Sequence, residues 1–256
     1  MDDSERSSAA ESDAAGYRFD RLKIGLILRD MYFSKDDPKP GDTIADFDLP
    51  TLNGGRFRSS DLATKGPALL VFGSFTCPVT DSAAPGLNRL HARFGDKVQF
   101  VMVNVREAHP GANAPQPTDL EEKRAHAERL RDLHAIPYTV AVDDIDGTLH
   151  RTLSPKPNSA YLLGTDGTIL FRAHWANDTS AIERALAAVS DGRPLPRSES
   201  RGLIRPLWPT LRYVAPTLDR AGRGAWRDMW LAAPPMAAAA ALLRVLRLVP
   251  RGTGTS

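Results

Sequence analysis

The chain holds one cysteine, Cys77, within the segment Phe72-Gly-Ser-Phe-Thr-Cys-Pro-Val-Thr80. The apolar run Ala68-Leu-Leu-Val-Phe72 precedes it, and apolar residues at helical spacing (Ala84, Leu87, Leu90, Phe94) follow until Gly95. The thiol therefore falls where a strand buried on both faces gives way to a helix. Chemistry in open α/β sheets gathers at the carboxyl ends of strands, and a helix amino terminus adds unpaired N–H groups and a positive dipole end. In such a place a thiol with a free pKa of about 8.5 is expected to drop to roughly 3.5–7.5 and become a nucleophile. Pro78 suits the first helical turn. The hydroxyls of Ser74 and Thr76 are placed to donate to the sulfur or to a bound anion. Thr80 stands where a dithiol enzyme carries its resolving cysteine, so turnover requires an external thiol reductant. The competing reading is a buried, inert cysteine acting as a small hydrophobe.

A second constellation follows the next apolar run, Val98 to Val105, as Glu107-Ala-His109. In extended chain, residues two apart point to one side, which would turn Glu107 and His109 together toward the thiol. Histidine exchanges protons near neutrality, and a neighbouring carboxylate orients the ring and raises its basicity. His109 is the candidate proton donor and Glu107 its partner; the alternative is a pair of solvated loop residues.

The elements that must position these groups alternate. A hairpin around Asn53-Gly54-Gly55 opens the unit, because Asn-Gly supplies the positive φ a tight turn demands. Strands at 68–72, 98–105 and 138–142 alternate with a helix from Asp81, bent at Pro85, and a charged helix over 119–133. Residues 159–163 and 168–173 flank Thr165-Asp-Gly167 as a closing hairpin, and a last helix starts at a capping box of Ser180 and Glu183. The chain divides into a disordered tail (1–16), an amphipathic helix and connector (17–37), an α/β domain (38–192) and a basic Pro/Arg/Ala-rich extension (193–256).

Gly73-Ser-Phe-Thr-Cys-Pro78 resembles the active-site signature of the iodothyronine deiodinase family, with Cys77 in place of its selenocysteine. Asn104-Val-Arg-Glu-Ala-His-Pro110 resembles that family's second motif, and Gly41 to Phe47 resembles the opening of peroxiredoxin and thioredoxin-like reductase domains. The resemblance implies a thioredoxin-like fold, with a central mixed sheet flanked by helices. It also implies reductive thiol chemistry at Cys77, dehalogenation included, and places Pro157 as a cis proline facing the cysteine. No histidine lies between His109 and His126, where the family has one that holds its iodinated phenol, so the substrate is left open. A one-cysteine peroxidase is the alternative, although Leu70 and Ser74 occupy the proline and threonine positions of the peroxiredoxin Pro-x-x-x-Thr-x-x-Cys pattern. The further alternative is a thioredoxin-fold binding module without activity.

A lone cysteine forms no intramolecular disulfide, and residues 1–16 lack the basic start and apolar run of a secretory signal. A cytoplasmic location is expected, with peripheral membrane contact as an option. Residues 201–256 carry nine arginines against Asp219 and Asp228, so the extension is either a solvated basic tail or a weak membrane-surface contact. Its longest uncharged stretch, Met229 to Leu243, is 15 residues with a Pro-Pro pair inside and falls short of the roughly 20 residues a span needs. A surface-lying helix over 236–248 is the membrane reading. Expected partners are a small-molecule substrate and the thiol reductant, with a homodimer as an option and neither nucleic acid, metal nor cofactor.

Overall fold

The computed structural model describes residues 16–197, 208–246 and 248–250. The expected disordered tail lies, but for Gly16, outside the described residues. Five strands form the central sheet: β3 (Ala68–Gly73), β4 (Gln99–Asn104), β5 (Thr139–Val142), β6 (Ala160–Leu163) and β7 (Ile169–Ala173). Their order is β5-β4-β3-β6-β7, with β3, β4 and β5 parallel and β6 and β7 antiparallel, a mixed sheet. A separate hairpin, β1 (Asp48–Pro50) and β2 (Arg56–Arg58), turns at Gly54, whose φ is 82°. The fold is the expected thioredoxin-like one.

The apolar run of β3 is buried at every position because both sheet faces are covered. Leu69 and Val71 pack on one face with α3 (Pro78–Phe94), α4 (Leu120–His134) and α6 (Thr179–Ser190). Leu70 and Phe72 pack on the other with α2 (Asp61–Lys65), α5 (Thr148–Thr152) and the hairpin. The segment before β1 closes the far edge, where the Gly41 and Ile44 N–H groups donate to Ile169 and Gly167 at 2.9 and 3.0 Å.

Several boundaries differ from the sequence reading. Helix α3 begins at Pro78 rather than Asp81 and runs through an exposed Pro85, so Cys77 is its N-cap residue. The expected long helix over 17–33 is only α1 (Ile24–Asp30); Tyr17 is instead buried, its hydroxyl 2.9 Å from His150 Nδ1. Asp178, not Ser180, caps α6 by accepting from the Ala181 N–H, while Glu183 pairs with Arg93 on α3.

The extension is a folded unit rather than a solvated tail. Helices α7 (Leu211–Ala221), α8 (Arg223–Ala232) and α9 (Pro234–Val245) bury Val214, Leu218, Ala225, Met229, Ala237 and Ala240 against one another. Leu22, Leu26 and Ile27 from the amino-terminal segment join this cluster, and α7 packs on α3. No helix among the described residues is long and apolar enough to cross a membrane.

Candidate active site

The end of β3, the start of α3 and the end of β4 converge on Cys77. The Cys77 N–H donates to Ser74 O at 3.3 Å and its carbonyl accepts from Asp81 at 3.1 Å, so the thiol sits on the first turn of α3 as the sequence places it. It is also only 1% exposed, packed with Val79 and Trp175 and touched by Met31 and Ala108. Burial pushes the thiol pKa up to about 11, although the Thr80 hydroxyl and the Thr80 and Val79 N–H groups pull it down. The nearby Asp81 carboxylate adds to the rise. The side chain forms no capping hydrogen bond, and the expected depressed pKa is corrected: desolvation outweighs the helix terminus.

Glu107 and His109 separate. The chain bends at Arg106 and again at Ala108 and His109, so the two-residue alternation of a strand does not extend to them. Fully buried Glu107 accepts from the Thr76 N–H (2.7 Å), the Thr76 hydroxyl (2.5 Å) and His126 Nδ1 (2.9 Å). Its partner is thus His126, on α4, and not His109. Thr76 Oγ1 in turn accepts from the His109 N–H at 3.1 Å, and Ser74 Oγ from the Ala108 N–H at 3.2 Å. These bonds tie the cysteine loop to the histidine loop, which is the work the two hydroxyls do in place of the expected approach to sulfur. Gln116 completes the arrangement by bridging the Glu107 N–H and carbonyl at 2.9 and 2.8 Å.

His109 is half-buried with its Nδ1 enclosed and without a hydrogen-bond partner, and desolvation lowers its pKa to about 4 against the opposing charges of Glu107 and Asp81. At neutral pH the ring is uncharged, a correction to the expectation of raised basicity. Cys77 and His109 nevertheless line one chamber of about 400 Å³. The thioredoxin-like domain contributes Pro78, Val79, Ala108, Pro157 and Trp175 to its wall. Phe19, Leu22, Ile27 and Met31 close it from the amino-terminal side, and Trp208, Leu211, Val214, Met229 and Met236 from the extension. Pro157 does reach the chamber, through a trans peptide bond, since no described residue has a cis one. Thr80 lies behind it, buried, with its hydroxyl 3.2 Å from Asn158 Nδ2.

The extension is held by charge as well as by packing. Asp81, one turn after Cys77, accepts from Arg220 Nη2 at 2.7 Å, from the Thr217 hydroxyl at 2.5 Å and from His134 Nε2 at 2.8 Å. Burial would raise this carboxyl, but the bond from His134 and the Arg220 charge outweigh it and hold the pKa below the usual range. Arg220 also donates to Phe75 O at 2.8 Å and stacks on the Phe75 ring, locking α7 to the cysteine loop. Gly111 lets the histidine loop approach as closely, because a Cβ there would meet Ala221 O at 2.3 Å. Neither Arg220 nor His126 belongs to a motif. Asp81 had a signal, its one-turn spacing from the cysteine.

The described residues contain no group of three or more His, Cys, Asp or Glu able to hold a metal ion. Several solved structures share the fold. An uncharacterized conserved protein from Geobacillus kaustophilus superposes with a TM-score of 0.51 at 18% identity, covering 64% of this chain and 89% of its own. A hypothetical protein from Sinorhizobium meliloti 1021 gives 0.50 at 14% identity, over 67% and 93%. No curated protein sequence matches the chain. The AhpC/TSA family matches residues 40–171, just over half of the chain and the whole stretch from the first loop of the fold into β7. The chain belongs to the AhpC/TSA family, among the thioredoxin-fold thiol oxidoreductases.

Proposed function

We propose that this protein is a single-cysteine oxidoreductase that reduces an apolar electrophile inside the chamber, with the reductive dehalogenation implied by the deiodinase resemblance as its reaction. The observation that carries the reading is the shared wall: a thiol and an uncharged, unpartnered imidazole face one apolar space. Both groups rest neutral, because burial disfavours each charged form. The thiol proton passes to His109 as the sulfur attacks the halogen of the substrate. His109 then delivers that proton to the carbon that loses the halogen. The carbon–halogen bond breaks, a sulfur–halogen bond forms, and the substrate carbon is reduced while the sulfur is oxidised. One external thiol displaces halide to give a mixed disulfide, and a second releases Cys77 as the thiol with formation of the reductant disulfide. Water exclusion protects the sulfenyl halide from hydrolysis.

The family match favours a second reading, in which Cys77 attacks a bulky apolar hydroperoxide, becomes a sulfenic acid and releases the alcohol. Two measurements separate them. Dithiothreitol-dependent iodide release from an aryl iodide is expected from wild type and absent from Cys77→Ser; equal release from both ends the dehalogenation reading. Brief exposure to an organic hydroperoxide, followed by trapping of a sulfenic adduct on Cys77, supports the peroxidase instead.

A further inference from the structure

Helix α9 buries Ala237 and Ala240 against α7 and α8 and turns Pro235, Ala238, Leu242 and Val245 to solvent. The exposed four recur at helical spacing and so form one stripe on the side away from the buried pair. That stripe holds no charge, and its Leu242 and Val245 are 59% and 78% exposed. A surface helix of a globular protein ordinarily sets carbon against the core and charge toward water, whereas α9 shows carbon on both sides. On its flank, Leu243 continues the stripe into an open groove whose other wall is Trp208, Leu211 and Arg212, with Leu248 beyond the helix end. Trp208 and Leu211 also line the chamber, so groove and chamber share a wall. Stripe and groove both lie outside the residues that the family matches.

We propose that the outer face of α9 and this groove dock on the surface of an anionic lipid bilayer, with the helix lying along the interface. Charge selects that occupant. The three-helix unit exposes Arg212, Arg223, Arg227 and Arg244 against Asp219 alone, and Asp219 is already taken by Arg244 and the Trp226 indole. Lys23 and Arg29 stand exposed on the amino-terminal segment that packs on α8, and they add to the same positive field. A second copy of this chain would set like charge against like, because a twofold contact brings one patch onto itself. A layer of anionic headgroups instead attracts each arginine, and its acyl boundary takes up the apolar stripe. The indoles of Trp208 and Trp230, 67% and 46% exposed, suit that layer, where an amphipathic ring keeps its polar edge among the headgroups. Helix α9, at 12 residues, lies on the bilayer without crossing it, since a span needs about 20. Docking in this way brings the lipid surface to the wall that the extension contributes to the chamber.

The docking does not depend on the chemistry at Cys77, and its test reads binding without turnover. The full chain is sedimented with vesicles of equal parts phosphatidylglycerol and phosphatidylcholine, and with vesicles of phosphatidylcholine alone. Wild type and Cys77→Ser are expected to partition about tenfold or more in favour of the anionic vesicles, with the preference shrinking as added salt screens it. Leu242→Gln with Val245→Gln, and separately Arg212→Glu with Arg223→Glu, are each expected to lower that partitioning about tenfold or more. All four side chains are exposed, and thermal melts establish that both variants are folded. Failure of wild type to prefer the anionic vesicles, or binding undiminished in either variant, would overturn the assignment. So would a dimer, seen by light scattering, that Leu242→Gln with Val245→Gln dissolves, because the stripe would then belong to a second copy. Vesicle binding without iodide release or sulfenic acid formation would keep the membrane face and remove the proposed chemistry.

Discussion

At Cys77 two physical effects compete, and their balance sets the reactivity. The helix terminus aims N–H groups at the sulfur, yet enclosure by Val79, Trp175 and Met31 removes the water a thiolate needs. Alkylation by iodoacetamide is therefore expected to be slow at pH 7 and to keep rising through pH 9 to a midpoint near 11, measured as rate against pH. His109 carries a linked signature. Its folded pKa of about 4 lies below the unfolded value of 6.5, so between pH 6.5 and 4 the unfolded chain binds a proton that the folded chain refuses. Stability falls as pH drops through that window, by about 3 kcal/mol for a shift of this size. His109→Gln removes this contribution, and urea midpoints at pH 7 and pH 5 are expected to lie closer together than in wild type.

Among the elements, α7 and the start of α3 share a buried charge. Removing one partner of such a pair leaves the other uncompensated, which typically costs about 3–5 kcal/mol. Asp81 retains His134 and Thr217, so Arg220→Ala is expected to destabilise by about 3 kcal/mol in denaturant unfolding and to speed alkylation of Cys77. The contact between the histidine loop and the end of α7 is tested by Gly111→Ala. The added methyl meets the Ala221 carbonyl, and overpacking of this kind costs about 1–3 kcal/mol, measured in the same unfolding experiment. At Gly147 both space and backbone demand glycine: φ is 68°, and a Cβ would lie 2.0 Å from the Tyr17 ring.

Across the whole molecule, three segments far apart in sequence enclose one chamber, so access to Cys77 depends on the extension. Filling the space from that side, by Leu211→Trp, is expected to slow alkylation by bulky maleimides while leaving the melting temperature within a few degrees. Most large exposed apolar side chains also lie on the same flanking segments, Leu28, Tyr32, Trp208, Leu231 and Val245 among them. The internal charge and packing of α7–α9 explain why a composition rich in arginine and proline does not imply a loose tail. Arg220 is half-buried against the buried Asp81, Arg244 pairs with Asp219, and Pro234 starts a helix instead of ending one.

The sequence by itself determined the order of the strands and of the longer helices between them, because apolar runs such as Ala68–Phe72 and turn residues such as Asn53-Gly54 act locally. It also determined that Cys77 meets the start of a helix, since that depends only on neighbours in the chain. It did not determine whether Glu107 faces His109, because two bends after β4 cancel the alternation on which that expectation stood. Three short helices, broken at Gly222 and Ala233, restart the apolar phase each time and leave no period to read. Solvation was decided last: the water around a thiol is displaced by Met31, Trp175 and their neighbours, residues brought together only when the folded chain closes over its own sheet.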